Sequence, residues 1–352
     1  MKNASKEIEA YFSRQLGAPV KVQSVNQSFP GISRETWLIR AEVGGKPQGF
    51  VLRIDPPEGS GGPQPMHYEW TIYQKLFGSS VPVAEPLWYG ENESFAEGRA
   101  HMVRRLVEGS TMVDGLNGSG PESAGLRHRV AYECIEKLAT VHSLDWLGLG
   151  FGDIMPVPAS PAEAFRADFE LWRGYWEHNA PYATPVLEEA LCWLTPLIPT
   201  SSPRISLCKG NNGLGEEIWQ GERIAAMSDW EVAGLGDGVC DLFWSQGTVR
   251  LIDFAEVVTH YGDCMGVPVT PERLAFAAVY SCVKQYFCSI GFWYRHFHQG
   301  RTKRPYALSA RTYVQDMEHK LGLCIGKDLD DAARIVTSAE KVMYVGLGDS
   351  KK

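Results

Sequence analysis

The sequence predicts an α+β fold in two lobes, a small antiparallel β-rich lobe over residues 1–107 and a larger, mainly helical lobe over 108–352. Three observations carry this. Runs rich in branched and aromatic residues, separated by Gly, Pro or Ser, crowd the first hundred positions. From Pro121 onward apolar residues recur at helical spacing instead. A chain of 352 residues is also too long for one small core.

The elements follow in order. Ile8, Tyr11, Phe12 and Leu16 share one helical face over 5–16, and Gly17 is placed to cap it. Strands are expected at Val20–Val25, Thr36–Ala41 and Gln48–Ile54, then a loop at Asp55–Pro65, where four prolines and three glycines forbid regular structure. A helix over His67–Leu76 precedes strands at Pro86–Tyr89 and His101–Leu106. In the second lobe a helix over 122–143 carries Leu126, Val130, Cys134, Leu138 and Val141 on one face. Pro161–Asn179 repeats Phe165, Phe169, Trp172 and Trp176 at helical spacing, which reads first as a core-facing helix and second as an aromatic wall of a ligand pocket. Further helices are expected at 184–196, 272–297 and 331–344, with short strands at Ile205–Leu207, Glu217–Trp219 and Ile224–Ser228 around a Gly-rich loop.

Composition excludes several classes. The formal net charge of −8 argues against a nucleic-acid or anionic-membrane partner, since either favours a basic face. The eight cysteines show no CxxC pair and no metal-ligand spacing, so they read as reduced and mostly buried thiols, which suits the cytoplasm. The polar, amphipathic start lacks a signal-peptide pattern. The apolar-rich stretch from Arg273 to Phe297 is broken by Ser281, Lys284, Gln285 and Arg295, which fits a buried helix and not a membrane span.

The motifs are more specific. RISLCKGNNGLGEEIW (204–219) and RIAAMSDWEVAGLGDGVCDLFW (223–244) place two short strands around a loop and carry an Asp-Trp-Glu triplet at 229–231. PGISRETW (30–37), FVLRID (50–55) and EKLATVHSLDWLGLGFGD (136–153) precede them. Together these resemble the aminoglycoside phosphotransferase and choline kinase family, in particular the branch of kinase-like domains fused to acyl-CoA dehydrogenases. The resemblance extends over nearly the whole chain and implies a bilobal protein-kinase-like fold, ATP and Mg²⁺ as cofactors, and a small-molecule acceptor.

On that resemblance Gly31, Ser33 and Thr36 belong to a loop over the nucleotide phosphates, although the segment by itself would pass for a hairpin turn. Arg53 would contact the α- and β-phosphates with Glu69 as its ion-pair partner. Arg binds phosphate as a planar fork where Lys acts as a point charge, yet both neutralise it. Val103 stands where the inter-lobe hinge offers backbone groups to the adenine ring. Asp229 matches the Mg²⁺-binding aspartate, a hard-oxygen ligand, and Asp241 the aspartate that braces the catalytic loop.

The catalytic loop departs from the family. Its His-Gly-Asp appears as Lys209-Gly210-Asn211, and its second metal ligand, an Asn, has become Glu216. Asn211 is near-isosteric with Asp but cannot take a proton from an acceptor, a loss that typically costs about 10²- to 10⁴-fold in rate. Glu216 adds a carboxylate beside Asp229, and Lys209 is expected to pair with Glu216 or Asp229 and so mimic a bound cation. Three readings stay open. The chain is a degenerate kinase that binds a nucleotide or small ligand, or serves an active paralogous subunit or a homodimer as a non-catalytic partner. Alternatively it is an active ATP-dependent phosphotransferase that phosphorylates an alcohol or phenol, or its pocket serves a different ligand in a binding or sensory role.

Overall fold

The computed structural model describes residues 5–28, 33–57, 62–179, 184–244, 248, 250–298 and 304–337, with backbone alone over 289–298 and 304–313. The first lobe opens with helix α1 (Ser5–Leu16), which turns at Gly17 (φ 62°) into a five-stranded antiparallel sheet. Its strands are β1 (Val20–Gln27), β2 (Glu35–Val43), β3 (Lys46–Ile54), β4 (Pro86–Gly90) and β5 (His101–Arg105), in the order β1-β2-β3-β5-β4. Gly44 and Gly45 join β2 to β3 in a two-residue turn with φ of 56° and 84°, the left-handed geometry that matches strand twist and that side chains resist. Both strands run further than their β-branched cores suggest, because the turn sets the register from Val43 opposite Lys46 outward to Glu35 opposite Ile54.

Ile8 and Phe12 of α1 close one face of this sheet against Ile39, Phe50, Leu52 and Val103. Helix α2 (Met66–Leu76) belongs instead to the core of the second lobe through Ile72, Tyr73 and Leu76, so it ties the two lobes together. Its Glu69 is fully buried.

The second lobe contains α3 (Pro121–His142), α4 (Pro161–Asn179) and α5 (Pro185–Leu194). Four short strands follow: β6 (Ser206–Cys208), β7 (Ile218–Gln220), β8 (Arg223–Ala226) and β9 (Gly234–Gly236). They pair as β6 with β9 and β7 with β8, so the 209–217 loop is held between two small ladders. Helices α6 (Phe254–Met265), α7 (Pro271–His298) and α8 (Arg304–Cys324) complete the lobe with α9, helical from residue 329 to the last described residue of that segment, 337. Strand β9 and helices α6 and α8 were not anticipated. The expected helix at 331–344 starts two residues earlier, and positions 338–344 lie outside the described residues. All eight cysteines are free, five of them buried. No helix among the described residues is long and apolar enough to cross a membrane.

Candidate active site

The site forms where the first lobe faces the 209–217 loop. Its centre is an arginine that sequence reading passed over. Arg34 leads into β2, is only 2% exposed, and meets three carboxylates: Asp55 at 2.8 Å, Glu69 at 3.0 Å and Glu231 at 2.6 Å. Arg53, on β3, meets Glu69 at 2.5 Å, Asp229 at 3.3 Å and Glu231 at 3.6 Å. Two guanidinium groups therefore span the cleft, joining Glu69 of α2 to the two carboxylates of the Asp-Trp-Glu triplet. The partners of Arg34 lie 21, 35 and 197 positions away, so no local pattern marked it.

Asp229 adopts φ 65°, a left-handed conformation that is strained for a residue with a side chain and concentrates at functional sites. Its N–H donates to the Tyr73 hydroxyl at 3.3 Å, and Tyr73 in turn accepts from Arg104, whose guanidinium lies 4.2 Å from the ring centre. One Asp229 oxygen faces Arg53, and the other accepts the Asn211 amide at 3.0 Å. The Glu216 carboxyl lies beside Asp229, close enough for the two groups to influence each other's ionisation. Burial and the like charge of Asp229 push Glu216 up to about 8. Asp229 itself is held below the usual carboxylate range: burial opposes its charge, but Arg53 and Lys209 favour it more strongly. Burial and Asp229 likewise raise Glu231 to about 7 against the pull of Arg34 and Arg53.

The frame of the loop lies on its other side. Asp241 accepts the Lys209 N–H at 2.6 Å, the Gly210 N–H at 3.1 Å and His142 Nε2 at 3.1 Å. Gly210 has φ 77°, and a Cβ there would stand 2.5 Å from a Val232 methyl, so only glycine passes this point without a shift. His142, Cys208 and Asp241 are grouped closely enough to suggest a metal site. The oxygens of Asp241 are already taken up by backbone and imidazole, and burial lifts the Cys208 thiol far above its ordinary range, so the cluster reads as bracing.

The expected partner of Lys209 is corrected. Within ion-pair distance its ammonium meets Glu217, at 3.2 Å, and not Glu216 or Asp229; it also donates to the Asn211 carbonyl and lies 5.5 Å from the centre of the Trp230 ring. The chain turns after Gly210, so the side chain points into the loop's interior, where both charges are fully buried. Burial raises the Glu217 carboxyl above its usual range despite Lys209. Lys209 thus acts as the loop's internal counter-charge and does not occupy the metal position.

The other expected residues divide as follows. Arg53, Glu69, Asn211, Glu216 and Asp229 come together in the cleft. Ser33 is buried beside Arg34, while Thr36 already belongs to β2, opposite Arg53. Gly31 lies outside the described residues. Val103 is not brought to the site. It sits within β5, which has neighbours on both edges, so its backbone groups belong to the ladders, and its side chain is buried in the first lobe's core. Of the aromatic stripe on α4, Phe165, Phe169 and Trp176 pack in the core, and Trp172 also lines a cavity beside the cleft.

The profile of the phosphotransferase enzyme family matches residues 27–273, which includes every element of this cleft. The chain belongs to that family. It is 27% identical over 321 residues to acyl-CoA dehydrogenase family member 11 of Gallus gallus, a match that covers 82% of this chain but 39% of that protein's length. Among solved structures it is similar to a protein of Ralstonia eutropha JMP134 described as an aminoglycoside phosphotransferase, with TM-score 0.66, 21% identity, and coverage of 95% of this chain and 98% of that one. Choline kinase LicA of Streptococcus pneumoniae gives TM-score 0.60 at 14% identity, covering 90% and 98%. Aminoglycoside phosphotransferase APH(4)-Ia, in a ternary complex with AMP-PNP and hygromycin B, gives 0.56 at 16%, covering 89% and 98%. These likenesses establish the bilobal kinase-like fold.

Proposed function

We propose that the cleft binds ATP together with Mg²⁺, and that phosphoryl transfer to a small-molecule hydroxyl is slow or absent, so that this family member acts mainly by binding. It would do so alone, as a homodimer, or as the non-catalytic partner of an active paralogue. The observation that carries this reading is the Asn211 amide donating to Asp229 at 3.0 Å. A hydrogen-bond donor fixed against the metal-site aspartate occupies the position from which a base would receive the acceptor's proton. Transfer depends more on positioning and charge than on that proton, so a residual rate is compatible with it.

Binding is supported by the charges of the cleft. Asp55, Glu69, Asp229 and Glu231, with Glu216 beside them, outnumber Arg34 and Arg53. A phosphate chain would satisfy the two guanidinium groups, and a dication the carboxylates they release. The donor set therefore fits Mg²⁺, with Asp229 and Glu216 as the holding residues; the ion would supply neutralisation of phosphate charge. A related structure contains AMP-PNP and another ADP, each with hygromycin B. The Glu216–Asp229 carboxyl pair favours a second reading, an active phosphotransferase with an altered loop, because that pair keeps two oxygen ligands where the family has Asp and Asn.

Thermal shift and turnover separate the two. Mg-ATP should raise the melting temperature, since a ligand specific for the folded state stabilises it. Asn211→Asp, alone and with Lys209→His and Glu216→Asn, should raise ATP turnover by about 10²-fold or more. Absence of a shift with ATP under any condition would sink nucleotide binding. A fall in turnover of the native acceptor in Asn211→Asp would establish the altered mechanism instead.

A further inference from the structure

Beside the cleft lies a cavity of about 220 Å³. It is framed by Pro63 and Gln64 ahead of α2, by the segment 154–158, by α4 and by the residues that follow Asp229. We propose that this cavity seats a small, uncharged, largely apolar molecule of one ring or two fused rings bearing a hydroxyl, and that it rejects polycations. The inference rests on the reading of the cleft as a ligand site and names the class of its second ligand.

Size and lining are the first ground. Pockets for drug-sized ligands run from roughly 300 to 1,000 Å³, so this one suits a smaller body. Its walls include Ile154, Met155, Leu171, Trp172, Val232 and Leu235. Trp172 is nearly fully buried and offers a flat surface, whereas Leu171 is 40% exposed and extends the apolar lining to the surface.

Charge is the second. Two carboxylates line the cavity, Asp168 and Glu231, and both are already committed. Asp168 accepts from the buried Lys284 ammonium at 3.1 Å and from the Tyr280 hydroxyl. Glu231 accepts from Arg34 at 2.6 Å. A cationic ligand that took Asp168 would compete with the buried Lys284 ammonium, which is unfavourable because a stranded charge stays out of water, and at Glu231 it would stand beside the Arg34 and Arg53 guanidinium groups. A neutral ligand meets no such cost.

Orientation follows from the polar end. Arg34 binds both the Glu231 carboxylate and, at 3.4 Å, the Gln64 main-chain carbonyl, so these two polar groups of the lining gather at the arginine cluster. Val232 lines the cavity and also packs against Gly210 of the 209–217 loop. A bound molecule therefore lays its ring toward Trp172 and its hydroxyl toward the loop.

The test uses 2-naphthol as the neutral probe and kanamycin as the polycation, each titrated calorimetrically into the full chain. 2-Naphthol is expected to bind and kanamycin not to compete. Ala167 is exposed on α4 and lines the cavity, so Ala167→Phe should fold and weaken 2-naphthol binding at least tenfold, while the Mg-ATP melting shift stays unchanged. Leu171→Asp, also at an exposed position, supplies a second variant and should weaken 2-naphthol by a similar factor. No 2-naphthol binding, binding indifferent to both variants, or tight kanamycin binding would each overturn the inference. A Mg-ATP shift without 2-naphthol binding removes this inference and leaves the nucleotide reading standing. 2-Naphthol binding without a Mg-ATP shift does the reverse.

Discussion

On the side of the 209–217 loop that faces the second lobe, one carboxylate, Asp241, satisfies two consecutive N–H groups and an imidazole, and the buried Lys209 is matched by the buried Glu217. On the cleft side, carboxylates outnumber cations, two of them are pushed toward neutrality, and an aspartate holds a strained backbone conformation. The inner face is a closed set of pairs, which is what stability requires of buried polar groups. The cleft face is left with unbalanced charge, which stability alone would remove and ligand binding explains. Of the three departures from the family motif, Asn211 and Glu216 lie on the unbalanced cleft face, whereas Lys209 is paired with Glu217 on the inner face.

The sharpest way to break this contrast is at Asp241. Asp241→Ala strands the N–H groups of Lys209 and Gly210 and removes the partner of His142, each at a cost of about 1–3 kcal/mol. The expected loss is about 4–6 kcal/mol in urea unfolding, with weakened Mg-ATP binding in whatever fraction still folds. A loss under about 1 kcal/mol would mean that the loop is held by something other than this carboxylate.

Next in size is the internal ion pair. Lys209→Met leaves Glu217 buried without a counter-charge and should cost about 3 kcal/mol. Adding Glu217→Gln should recover most of that, because the neutral amide oxygen can still accept the Ser228 N–H now found at 2.9 Å. If Lys209 served as a stand-in metal ion at Asp229, the double variant would recover little and Mg²⁺ would rescue the single one. Unfolding midpoints with and without Mg²⁺ decide between these outcomes.

How much of this was readable in the sequence differs between fold and site. Helix α4 was legible to the residue because Phe165, Phe169, Trp172 and Trp176 mark one continuous face. Helix α6 buries little beyond Val257 and Tyr261, so its periodic signal is short. Its true markers are the ends: Asp253 accepts the Ala255 N–H at 2.8 Å, and Gly266 closes it at φ 67°. In the site, residues fixed by loop spacing (Asn211, Glu216, Asp229) could be placed from motif alone. Arg34 could not, since its importance arises from carboxylates on three distant segments. The partner of Lys209 was misjudged, Glu217 where Glu216 or Asp229 was expected, because spacing does not reveal which nearby carboxylate points inward.

The smallest predicted effect sharpens the contrast through pH. On the scaffold side Asp237 accepts from Arg273 at 2.7 and 2.8 Å and from the Val239 N–H at 3.0 Å. Burial opposes its charge, but Arg273 and the other donors outweigh burial and hold it below the usual carboxylate range. A depressed carboxylate contributes stability above its unfolded pKa of about 3.9 and loses it as pH falls through the folded value. Asp237→Asn should therefore cost about 1–3 kcal/mol at neutral pH, with the difference from the parent shrinking below about pH 4. In the cleft the sign reverses. Glu216 is raised to about 8, so in the parent chain its ionisation subtracts stability as pH climbs from the unfolded value of about 4.3 to that point. Glu216→Gln should accordingly gain on the parent over that interval and stay level above it. Parallel melting curves of the two variants from pH 3 to 9 would test this, and slopes of the same sign would show that the two faces of the loop do not differ in the way proposed.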